Sequence, residues 1–155
     1  MTAAERADSV FGCYCEYLDG KGLRYKKDAD ERKILLQMTG ANLPVTLLLS
    51  VEEDNERTFV FAKLPFDVSR EKRVDLAMAV TYINAVLATG TFCVDADGGY
   101  VSYESNELYT GLHGFTAAYA ERVIVSAFSA VDMFNDKLFA VNKGLLTVKE
   151  FAAQM

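Results

Sequence analysis

The chain has 155 residues, 51% of them hydrophobic and 12% aromatic, which is enough for one well-buried core and short for two, so a single domain over residues 1–155 is expected. A formal net charge of -6 and a pI near 4.8 repel phosphate backbones and anionic lipid, and no basic cluster exceeds Lys26-Lys27 or the mixed run Arg70-Glu71-Lys72-Arg73; nucleic acid and membrane surfaces are excluded as partners. No apolar run approaches a membrane span, and the start MTAAERADSV lacks the basic and apolar regions of a signal peptide, so a cytoplasmic protein is expected.

Thr2 and Glu5 stand at capping-box spacing and open a first helix, Ala3 to Leu18. Its stripe is Ala3, Ala7, Val10, Tyr14, Tyr17 and Leu18, and Gly20 with Gly22 close it. From Leu23 to Leu64 the apolar period changes to two, the mark of half-buried antiparallel strands. Four strands are predicted: Leu23 and Tyr25 in the first, Ile34 to Met38 in the second, Val45 to Val51 in the third, and Thr58 to Leu64, apolar on both faces, in the fourth. The breaks at Asp28-Ala29-Asp30, Gly40-Ala41-Asn42 and Glu52 to Glu56 are short, which implies consecutive hairpins. Pro65 is expected to end the fourth strand, since it cannot donate to a ladder.

The stretch from Ser69 to Ser105 is the centre of the chain. Leu76, Val80, Ile83 and Leu87 recur at helical spacing, and Gly90 is expected to stop that helix. Phe92 and Val94, then Val101 and Tyr103, alternate around Asp97-Gly98-Gly99 as a tight hairpin. A last helix begins at a Thr116 cap, with Ala120, Val123, Ala127, Val131, Phe134, Leu138 and Val141 on one face and Arg122, Ser126, Ser129, Asp132 and Asp136 on the other. At 1.5 Å per residue it spans about 40 Å before Gly144. Thr147 and Glu150 form a second capping box, with Leu146 and Phe151 as its hydrophobic staple.

Three cysteines fit a reducing compartment better than a disulfide framework. Cys13 and Cys15 lie about 200° apart on the first helix, so they cannot clasp one metal, and all three are read as structural thiols. Asp95-Ala96-Asp97-Gly98-Gly99 starts like a calcium loop but places Tyr100 where that loop needs glycine, and a hairpin turn accounts for it without an ion. The acidic run Glu52 to Glu56 reads as a solvated loop. No metal and no cofactor is expected. His113 is the only histidine, so any histidine-assisted chemistry must use it, with Cys93 as its one strand-borne thiol; no motif activates that thiol. Asn84 lies beside the buried stripe of its helix, and its amide is expected to bond backbone of the adjoining hairpin.

The order of elements, with Ala62 to Pro65 before the central helix, Asn84, Gly90-Thr91-Phe92, Asp95 and Asp97-Gly98 ahead of Val101 and Tyr103, and Gly144 after a long helix, resembles the YbjN family, whose fold is that of the class I type III secretion chaperones. The resemblance implies a small acidic protein, often dimeric, that binds or regulates other proteins without established chemistry; the family carries no catalytic motif to transfer. One departure is the basic first strand with Arg24, Lys26 and Lys27, although edge lysines also prevent unwanted pairing.

The architecture expected is α+β: an antiparallel sheet of five or six strands with helices mainly on one face. If Leu36, Leu47 and Leu49 face the helices, Leu35 and Leu48 lie on the open face, and they are the candidate binding residues. The function expected is non-catalytic capture of a protein or peptide segment by a chaperone-like or regulatory homodimer. The rivals are a dedicated type III secretion chaperone for one effector and an enzyme with a pocket near His113.

Overall fold

A computed structural model describes residues 1–97, 99–110 and 114–155. Helix α1 (Ala3–Gly20) is followed by strands β1 (Tyr25–Asp28), β2 (Lys33–Met38), β3 (Val45–Glu52) and β4 (Arg57–Asp67), a 3-10 turn (Arg70–Lys72), helix α2 (Arg73–Asn84), strands β5 (Thr91–Val94) and β6 (Tyr100–Leu108), and helices α3 (Ala117–Asn142) and α4 (Val148–Ala153). The strands form one six-stranded sheet in the order β1-β2-β3-β4-β6-β5, every pair antiparallel. The α+β class and the helices-on-one-face layering match the sequence reading.

Local chemistry sets the helix starts. The Thr2 hydroxyl accepts from the Glu5 amide at 3.1 Å, and the Glu5 carboxylate accepts from the Thr2 amide at 2.7 Å. Thr147 and Glu150 reproduce the same exchange at α4, and Thr116 caps α3 by accepting from Tyr119. Each satisfies amides that the first helical turn leaves without partners.

One core joins all the layers. Tyr14 and Leu18 of α1, Leu36, Leu47, Leu49 and Leu64 of the sheet, Leu76 and Ile83 of α2, Leu138 of α3 and Phe151 of α4 are all buried within it. Helix α3 carries the whole stripe predicted for it, and it is tied down at its C-terminus and along its middle. Asn142 donates to the Asp67 carbonyl and accepts from the Ser69 amide, each at 2.9 Å, fixing its C-terminus to the end of β4. Mid-helix, Asp132 accepts from the Ala41 amide and Asp136 from Asn42, so the polar face of the helix holds the β2–β3 loop. Gly40 is required there, because a Cβ would lie 2.3 Å from the Asp132 carboxylate and from the Leu43 carbonyl.

Four boundaries differ from expectation, each for a local reason. Leu23 precedes β1 and packs on the core from the turn, while Asp28 belongs to β1 because it still pairs with Lys33. Strand β4 runs through Pro65 to Asp67, since the β4–β6 register shifts between Lys63 and Asp67 and the missing proline amide costs no ladder bond there. Helix α2 ends at Asn84 rather than at Gly90, leaving Leu87 in the following turn, half-buried against the core. The Asn84 side chain ends the helix by bonding the next strand: it donates to the Phe92 carbonyl at 2.9 Å and accepts from the Phe92 amide at 2.8 Å. The amide thus serves backbone of the hairpin, as its position beside the stripe implies.

Candidate functional site

Strand pairing places residues in cross-strand rows on the face away from the helices. One row is Lys26, Leu35, Leu48, Phe61, Glu104 and Thr91; the next is Asp28, Lys33, Ser50, Phe59 and Asn106. Leu35 is 43% exposed, and Leu48, Phe59 and Phe61 are half-buried. Phe59 and Phe61 stack at 6.4 Å between ring centroids, so the four side chains form a continuous apolar band over three strands. Their in-strand neighbours Leu36, Leu47, Leu49 and Val60 are buried on the other face. Leu35 and Leu48 therefore lie where the sequence reading put them, on the open face.

Cations flank the band. Arg57 lies 5.8 Å over the Phe59 ring, and Lys63 lies 5.0 Å over Tyr100. At the β1 edge, Arg24, Tyr25, Lys26, Leu35, Gln37 and Thr46 line a shallow groove of about 460 Å³. The basic first strand thus borders the apolar band. An extended segment laid across such a surface could bury apolar side chains on the leucines and phenylalanines while keeping its backbone near an unpaired sheet edge.

The other candidates come apart. Gly98 and His113 lie outside the described residues, so neither the full hairpin turn nor a couple between Cys93 and His113 is described. The three cysteines are free, and burial followed by the Glu104 charge pushes the Cys93 thiol up, which leaves less thiolate for chemistry. Cys13 is pushed up by burial and then Glu16, and its thiol donates to the Phe115 carbonyl. In the acidic run the carboxylates go to arginines: Glu52 accepts twice from Arg57, at 2.6 and 2.8 Å, Glu53 accepts from Arg32, and Glu56 from Arg6 and Thr110. The Asp95 carboxylate accepts from the Asp97 amide, a turn-forming bond. Among the described residues no group of three or more potential metal-ligating side chains converges, and no helix is long and apolar enough to cross a membrane.

A family model described as "Putative bacterial sensory transduction regulator", named YbjN, matches residues 15–140. The chain belongs to the YbjN family. Its fold is like that of the class I type III secretion chaperones. The crystal structure of YbjN from E. coli aligns with a TM-score of 0.59 at 14% identity, covering 84% of this chain and 89% of that one. A chain of the ExsC–ExsE complex aligns with a TM-score of 0.58 at 16% identity, covering 83% and 92%. No curated protein sequence gives a significant match. For a YbjN-family chain the fold is thereby shown, and identities this low carry the fold alone and no residue-level role.

Phe59 and Phe61 complete the band, and the sequence reading did not single them out. The signal was present, since β4 is apolar on both faces, which a strand covered on one side does not require. The exposed face of α2 is a second surface that went unmarked: Val74, Met78 and Tyr82, with Val86 in the turn beyond, recur every four residues and are all exposed.

Proposed function

We propose that this YbjN-family protein is a non-catalytic, chaperone-like binding module of the cytoplasm, a single domain that captures an extended protein segment on its open sheet face. The observation that carries this reading is the uncovered band of Leu35, Leu48, Phe59 and Phe61, beside a covered face that already meets the needs of the core. A solved neighbour of the same fold, from the ExsC–ExsE complex, supports a protein as the occupant. The sequence has no phosphate-cradling glycine loop, which argues against a phosphorylated small molecule at this face. A dedicated secretion chaperone for one effector is the narrower form of the same reading.

The test is fluorescence anisotropy with extended peptides of alternating apolar and polar residues. Saturable binding that is lost in Leu48→Asp and Phe61→Asp supports the assignment, whereas binding indifferent to both variants moves the site elsewhere.

The module is proposed to act as a homodimer, with the exposed α2 stripe of Val74, Met78, Tyr82 and Val86 as the contact. Sedimentation at low micromolar concentration should give twice 17.1 kDa for the wild type and the monomer for Met78→Glu/Tyr82→Glu. A wild type that sediments only as monomer overturns the dimer.

A further inference from the structure

The inward positions of β6 change character along the strand. Val101 and Tyr103 are fully buried, as a covered strand face requires, but the next two inward residues are Ser105, 9% exposed, and Glu107. Opposite them α3 presents Tyr119, Arg122, Val123 and Ser126, and Thr89 comes from the connection between α2 and β5. These residues enclose a cleft of about 280 Å³ on the helix side of the sheet, on the opposite face from the apolar band. A core needs no serine and no carboxylate here, and convergent polar groups in a concave site are the usual mark of a ligand pocket.

Glu107 accepts from the Tyr119 hydroxyl through Oε2 at 3.1 Å. Arg122 lines the same cleft, yet among the described residues neither charge takes part in an ion pair. The wall beside Thr89 depends on Gly90, which sits at φ +78° and whose Cβ would lie 2.2 Å from the Tyr103 hydroxyl. Any side chain there would displace the Tyr103 phenol from the cleft.

We propose that this cleft binds a small zwitterion of the free α-amino acid class, its ammonium on Glu107 and its carboxylate on Arg122, with the hydroxyls of Ser105 and Ser126 completing the hydrogen bonds. Glu107, bonded to the Tyr119 hydroxyl, and the exposed Arg122 put one charge of each sign on the wall of one cleft, and a ligand carrying both signs can engage the two together. A simple cation would leave Arg122 unmatched, and a simple anion would face Glu107. The volume lies just below the roughly 300–1,000 Å³ of drug-sized sites, so the ligand is small.

The experiment is calorimetric titration and thermal melting of the full chain with glycine, L-serine, L-glutamine and L-glutamate, and with acetate and methylamine as single-charge probes. At least one amino acid should bind saturably and raise the melting temperature, while the single-charge probes give neither signal at the same concentration. Glu107→Gln and Arg122→Gln should each weaken binding about tenfold or more, the loss of one charge-assisted contact. Ser126→Phe fills the cleft from an exposed helix position and should abolish binding while the protein remains folded by circular dichroism. Absence of binding by every amino acid overturns the proposal. So does methylamine binding as tightly as the amino acids, or amino acid binding that Arg122→Gln and Ser126→Phe leave unchanged.

Discussion

Leu47 and Leu48 are adjacent in sequence and lie on opposite faces of β3, so the same substitution at each separates core from binding surface. Leu47 is fully buried. Replacing it with aspartate forfeits the burial of a leucine, about 1.5–3 kcal/mol, and leaves an unpaired carboxylate in the core, which costs several kcal/mol more. Against a net stability of about 5–15 kcal/mol, Leu47→Asp should unfold the protein. Leu48 sits half-buried between Leu35 and Phe61. Its loss removes two cross-strand contacts of about 0.2–1 kcal/mol each, with up to about 1 kcal/mol of strand preference. At about 2–4 °C per kcal/mol for a domain of this size, Leu48→Asp should melt only some degrees lower and keep its circular dichroism. Peptide capture, measured by anisotropy, should nevertheless weaken by about 1–3 kcal/mol, roughly 5- to 150-fold. If both variants unfold, Leu48 is core and the open face is misassigned; if Leu48→Asp folds and captures as before, the surface lies elsewhere.

Three further outcomes are expected. Asn84→Ala strips the Phe92 amide and carbonyl of their partner and should cost about 1–3 kcal/mol in urea unfolding; an unchanged midpoint would show that water substitutes fully. Among the described residues the buried Asn135 amide has no partner on either its nitrogen or its oxygen, so Asn135→Leu, close in volume, should raise the melting temperature, and a fall would reveal a hidden partner. Hydrogen bonds from Arg57, then Asn55, hold the Glu52 carboxyl down to about 2. A folded-state value below the unfolded one means that this pair stabilises the protein above the ordinary carboxylate range and stops doing so as pH falls through about 2. The decline in melting temperature between pH 5 and pH 2 should therefore be shallower in Arg57→Gln than in the wild type, and equal slopes would contradict the coupling.

Much of this architecture is legible in one sequence because period and capping act locally. The change of apolar period at Leu23, the two threonine-glutamate boxes and the long α3 stripe each need only neighbouring residues to be read. The boundaries that moved depend on partners distant in sequence. Pro65 stays in β4 because of where β6 shifts register, and α2 stops at Asn84 because that amide finds Phe92. Leu35 and Leu48 could be placed from alternation alone, whereas Phe59 and Phe61 could not be chosen from a strand apolar on both faces without knowing which face the helices cover. The cleft was invisible for the same reason: Glu107 and Arg122 are separated by the whole connection into α3, and nothing local reports that they line one space.

The apolar band is not a requirement of the fold. On β3 itself, Thr46 and Ser50 occupy the same face as Leu48, so polar side chains serve this surface without cost to the strand. The register is held from the other face, where a one-residue slip would carry Leu47 and Leu49 out of the core. Threonine at positions 35, 48, 59 and 61 would keep strand preference and pairing while removing exposed apolar area. The sequence instead places two leucines and two phenylalanines there, contiguous across three strands and bordered by Lys26, Lys33, Arg57 and Lys63. Cross-strand pairing alone supplies only about 0.2–1 kcal/mol per pair for setting them side by side on the outside, whereas the proposed extended partner would add the burial of the exposed area that remains.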